Sequence, residues 1–137
     1  MPIRTATPYL ILQGRARHAI EHYRHALGAE LESLQHFGDV DRSCPEARRD
    51  WVMHAALRLG EATVMLSDGP GEGPVPTSGA VSVALHLDDQ TLARTSFARL
   101  ADGGTVVQPL FDAPWGTLFG VVIDRFGVAW MFDCAKR

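Results

Sequence analysis

At 137 residues, with a formal net charge of -3, 46% hydrophobic and 21% charged residues, the chain has the size of one domain around a single core. It carries no basic excess to attract nucleic acid or anionic lipid, so neither is expected as a partner. No apolar run approaches the roughly 20 residues that span a bilayer and the opening MPIRTATPYL lacks the apolar core of a signal peptide, so a cytoplasmic protein is expected.

Residues 9–13 read as a strand stopped by Gly14. Ala16, Ile20, Tyr23 and Leu27 then recur at helical spacing, and Gly28 stands where that helix would close. His18, His22 and His25 fall on the opposite face, so they are expected to meet solvent rather than gather round a metal. Residues 30–37 predict a second strand and 38–50 a polar loop, within which Cys44 has no CxxC partner. Residues 51–59 and 62–68 predict two strands turned at Gly60-Glu61. The stretch 69–79, GPGEGPVPTSG, has no apolar period and reads as a linker.

The order then repeats. Residues 80–87 predict a strand; Leu92, Ala93, Ser96, Phe97 and Leu100 share a helical face that ends at Gly103-Gly104; strands follow at 105–110, 117–123 and 129–133. Cys134, near the C-terminus, again lacks a CxxC partner, so two free thiols are expected. Residues 60–66 and 127–132 share a pattern at an offset of about 66. The repeated order predicts a duplicated βαβββ unit within one domain, 1–137, with module one over about 6–68 and module two over about 80–134.

A resemblance to a known family rests on residues spread over nearly the whole chain. They are Pro8-Tyr9-Leu10 with Gly14 and Ala16, Ala19 through Tyr23 leading to Leu27-Gly28-Ala29-Glu30, Met53-His54-Ala55 with Leu57, and Met65-Leu66-Ser67-Asp68. Ser82-Val83, His86, Asp88-Asp89, Gly103-Gly104 and Pro109 continue the series, and Trp115-Gly116, Phe119-Gly120, Asp124, Phe126-Gly127 and Trp130 end it. The sequence resembles the vicinal-oxygen-chelate superfamily, which holds glyoxalase I, ring-cleaving dioxygenases and bleomycin-binding proteins, and within it the PhnB-like branch. The resemblance implies an α+β fold of two βαβββ modules. Their strands would form a cupped, mixed, eight-stranded sheet with helices on the convex side and a ligand cavity on the concave side, in a homodimer.

Metal-using relatives place four ligands in the cup, and on this sequence those positions are implied to be Pro8 or Tyr9, Met65, Ser82 and Met131. None offers the imidazole or carboxylate that a borderline or hard divalent ion requires, so no metal and no other cofactor is expected. The same positions set strand parity. Thr63, Met65 and Ser67, then Ser82, Ala84 and His86, then Ala129, Met131 and Asp133 would line the cup. Val64, Leu66, Val81, Val83, Leu85, Leu87, Trp130 and Phe132 would form the core, and Val52, His54, Ala56 and Arg58 make a mixed face.

Met65, Ser67, Ser82, His86, Trp115 and Met131 are therefore the candidate ligand-binding residues, with Trp115 either a lid aromatic or a structural plug. Methionine walls suit an uncharged or anionic organic molecule in a bleomycin-resistance-like binding protein whose main polar contact is His86. The alternative is a metal-independent or unusually liganded lyase or isomerase of the same superfamily, with His86 or His54 as general acid or base.

Overall fold

The computed structural model describes residues 6–69 and 81–136, so almost all of the linker expected at 69–79 lies outside the described residues. The chain divides into two units at residue 75. In the first, β1 (Tyr9–Ile11), α1 (Ala16–Leu27), β2 (Glu30–His36), α2 (Phe37–Val40), a 3-10 turn (Glu46–Arg48), β3 (Val52–Leu59) and β4 (Ala62–Ser67) follow in order. The second holds β5 (Val83–Leu87), α3 (Gln90–Ala101), β6 (Thr105–Asp112), β7 (Thr117–Ile123) and β8 (Ala129–Ala135). The eight strands form two four-stranded sheets of matching order, β1-β4-β3-β2 and β5-β8-β7-β6. In each, the first strand runs parallel to the last and every other pairing is antiparallel. This is the α+β, twofold βαβββ arrangement that the sequence predicts.

Local chemistry explains the elements. Helix α1 buries Ala16, Ala19, Ile20, Tyr23 and Ala26, a stripe at helical spacing, and packs on β2 and β3. Arg15, at the N-cap, supplies no side-chain cap, and the buried carboxylate of Asp68 does the work from the far end of β4. Its Oδ1 accepts from the backbone N–H of Gly14 at 2.7 Å and of Ala16 at 2.9 Å, while Oδ2 accepts from Val52 N–H at 2.8 Å. A negative group at the positive end of the helix thus also ties β1, β3 and β4 together. At the other end Gly28 takes φ +67, where a side chain is strained, and its N–H reaches Arg24 O.

Helix α3 starts at Asp89, whose side chain accepts from Leu92 N–H at 3.0 Å. It buries Ala93, Ser96, Phe97 and Leu100 against β6, β7 and β8. Phe97 meets Phe132 edge-on at 5.2 Å. Gly104 lies so close to β7 that a Cβ there would overlap the Ile123 carbonyl.

Several expectations need correction. Leu92 is exposed, because the helix turns that position away from the sheet, and Leu27 is only half-buried. Val81 precedes β5 and is exposed, so it is no part of the core. His18 and His25 face solvent, but His22 is half-buried beside Tyr23, at the flank of the apolar stripe. The polar stretch 38–50 is not simply a loop, since α2 and the 3-10 turn occupy part of it.

Candidate functional site

Each sheet has one face under its helix and one open face, and strand register decides which side chains share the latter. In the second unit Trp130, Phe132 and Cys134 of β8 are buried together with Leu118 and Val122 of β7. The alternate residues point the other way. Met131 lies between Val121 on β7 and Ala84 on β5. One step along, His86, Asp133, Phe119 and Phe111 stand in register across all four strands.

That transverse row is where chemistry collects. His86 Nδ1 is 3.4 Å from Asp133 Oδ2, and the imidazole is 76% exposed, so its other nitrogen is open to a ligand. Asp133 Oδ1 and Thr117 Oγ1 are shielded from solvent and have no hydrogen-bond partner among the described residues. Thr117 pairs with Ala135, the next same-face pair along the ladder. Beyond Asp133, Phe111, Phe119 and Trp115 form a cluster of mutually edge-on rings. Their centroids are 5.2 Å apart for Trp115 and Phe119, and 6.4 Å for Phe111 with each of the other two. Trp115 sits in the turn between β6 and β7 and is 60% exposed.

On the buried face, burial pushes the Cys134 thiol up from its ordinary value, and the negative charges of Asp89, Asp88 and Asp133 push the same way against Arg94. Lys136 is engaged by Asp112 at 3.3 Å.

In the first unit the matching face carries Tyr9, Met65 and Ala56 in register across β1, β4 and β3. His54 meets the Tyr9 ring edge-on at 6.0 Å. Ser67 is buried, and its hydroxyl is engaged by backbone, accepting from Gly69 N–H at 2.9 Å and lying 3.5 Å from Val52 O. Arg58 pairs with Glu30 at 3.8 Å on the neighbouring strand.

The sequence-predicted residues therefore divide between units. His86, Met131 and Trp115 share the second unit's open face; Met65 and His54 belong to the first; Ser82 is exposed just before β5, two residues ahead of the Ala84 that faces Met131. Of the positions that the resemblance implies for the superfamily's metal ligands, Tyr9 stands opposite Met65, Ser82 lies exposed ahead of β5, and Met131 stands opposite Ala84, which was not one of them. A phenol, a hydroxyl and two thioethers do not fit a divalent ion of the zinc or nickel type. Among the described residues no three His, Cys, Asp or Glu are placed to hold one.

Sequence reasoning missed Phe111 and Phe119 and the pairing of Asp133 with His86. Phe119 was within reach, since it alternates with buried Leu118 and Gly120. Phe111 was not, because β6 shifts register between Val106 and Gln108 and again before Phe111.

With this geometry in view, comparison with known proteins is informative. A family model, the Glyoxalase/Bleomycin resistance protein/Dioxygenase superfamily, matches residues 7–132. Protein YjdN of Escherichia coli (strain K12) is 32% identical over 143 residues, covering 96% of this chain and 95% of YjdN. Among solved structures, protein PA1353 from Pseudomonas aeruginosa aligns with a TM-score of 0.86 and 37% identity, covering 98% of this chain and 100% of its own. A PhnB protein from Bacillus cereus aligns at 0.82 with 25% identity, covering 96% of this chain and 100% of its own.

Proposed function

Because the chain belongs to the glyoxalase/bleomycin resistance protein/dioxygenase superfamily, we propose that it is a cytoplasmic, homodimeric binding protein for a small organic molecule and works without the superfamily's metal centre. The observation that carries this reading is the open face of β5, β8, β7 and β6, where Met131, Val121 and three aromatic rings form an apolar wall beside one imidazole and one carboxylate. An apolar surface with a few convergent polar groups is the usual make-up of a small-molecule site, and methionine adapts its shape to the guest. No helix among the described residues is long and apolar enough to cross a membrane.

A second reading is favoured by the His86–Asp133 pair. A carboxylate at an imidazole Nδ1 fixes the tautomer that leaves Nε2 as a base, the arrangement a metal-independent lyase or isomerase would use. His54 has only Tyr9 beside it among its ring contacts, which makes it the weaker candidate.

A thermal-shift screen on wild type, His86→Ala and Met131→Glu, with elemental analysis of tag-free protein, tests the proposal. A true ligand at about a hundred times its Kd adds ~2.7 kcal/mol to stability, so its melting shift is readily seen in wild type and lost in folded Met131→Glu. Hits that stabilise both equally would move binding elsewhere. Near-stoichiometric zinc, nickel, iron or manganese would refute the metal-free part, and turnover of a hit abolished in His86→Ala would favour the enzyme.

A further inference from the structure

The open face of the second unit has a polarity that the family likeness does not supply. We infer that it takes an organic cation, a protonated amine on an apolar body, with the body against Phe111, Phe119 and Trp115 and the ammonium group at Asp133. This rests on the reading that the face binds a small molecule, and it replaces the uncharged or anionic ligand expected from the sequence.

The rings are the first support. Their interplanar angles of 79° to 85° set edges against faces, and Trp115 and Phe111 keep 60% and 38% of their surface open. An aromatic face is the negative part of its quadrupole and attracts a cation within about 6 Å, most strongly at tryptophan.

Position is the second. Phe119 stands directly opposite Asp133 in the antiparallel β7–β8 ladder, on the same face. Residues so paired have Cβ atoms about 5 Å apart, so one ammonium group can touch both the carboxylate and a ring.

Unmet bonding capacity is the third. Asp133 Oδ1 lacks a hydrogen-bond partner among the described residues, and among those residues the one basic group within ion-pair reach of the carboxylate is the His86 imidazole, 3.4 Å from Oδ2. A primary ammonium brings three N–H donors, and the carboxylate's broad final torsion lets either oxygen meet them. The ammonium of Lys136 is already held by Asp112 at 3.3 Å. An anion would meet the Asp133 carboxylate as a like charge.

Three probes with one body and different charge decide the matter: 3-phenylpropylammonium, 3-phenylpropanol and 3-phenylpropanoate, titrated calorimetrically into wild type, Asp133→Asn and Trp115→Ala. The ammonium is expected to bind wild type at least about tenfold more tightly than the alcohol, with the carboxylate weakest. Asp133→Asn should weaken the ammonium at least about tenfold and the alcohol by far less, and Trp115→Ala should weaken both. If the alcohol or carboxylate binds as tightly as the ammonium and depends on Trp115, the site stands and the charge preference is wrong. If no probe binds up to about 10 mM, the face is no such site and the binding proposal falls with this one. Should Asp133→Asn fail to fold, the wild-type ranking and Trp115→Ala decide alone.

Discussion

Asp68 shows how a single side chain can stand in for a cap that the local sequence omits. With Arg15 at the N-cap of α1, three backbone N–H groups from two distant segments converge on one carboxylate. Asp68→Ala is expected to destabilise by about 3–5 kcal/mol, because it strands buried donors as well as removing charge-assisted bonds. Asp68→Asn keeps one oxygen for Gly14 and Ala16 but turns an amide N–H toward Val52, and should lose about 1–3 kcal/mol. Urea denaturation measures both, and an unchanged midpoint for Asp68→Ala would show the contacts to be without weight. Asp124 is a comparable buried residue in the second unit, accepting from Phe126 and Val128 N–H through Oδ1 and from the Trp130 indole through Oδ2. These bonds give it a structural role at the turn into β8.

At the scale of elements, β3 and β4 are central and well buried, whereas β1 and β2 are edges with exposed side chains. Amide exchange at Leu57 and Val64 should be at least about tenfold slower than within Tyr9–Ile11 and Glu30–His36. Equal protection, read by NMR, would mean that each unit opens only as a whole. The same contrast explains what was legible. Strand parity in β4, β7 and β8 follows plain alternation, so Val64, Leu66, Trp130 and Phe132 were read correctly as core. Edge and bulged strands obey no such pattern. Leu92 was misread because its apolar side chain stands on the side of α3 turned from the sheet while the adjacent Ala93 is buried, and Asp133 was seen as lining but not as a partner of His86, since the parallel register of β5 on β8 is invisible in one strand alone.

For the whole molecule, matching strand orders in both units make the twofold repeat, suspected from a weak motif at an offset of about 66, a property of the fold. Each sheet leaves two edges, and the exposed apolar side chains include Leu34 on β2 and Val106 and Val107 on β6. Such edges are usually paired or covered, and a homodimer is the expected answer. Light scattering should report twice the chain mass of 15.0 kDa at micromolar concentration, and Val107→Lys should shift it toward the single chain. A wild-type particle of one chain mass at every concentration would refute association.

Both sheets close on a parallel seam between a unit's first strand and its last. Synthesis runs the other way about: the ribosome delivers Tyr9–Ile11 long before Ala62–Ser67, and Val83–Leu87 before Ala129–Ala135. Each unit therefore emerges with its opening strand unpaired, and that strand must wait until the whole of the rest of its unit has been made. A strand that waits unpaired is the kind of element that can be exchanged between identical chains. The seam that completes each sheet is thus also the last pairing each unit can make, and the one whose partners are farthest apart in order of synthesis.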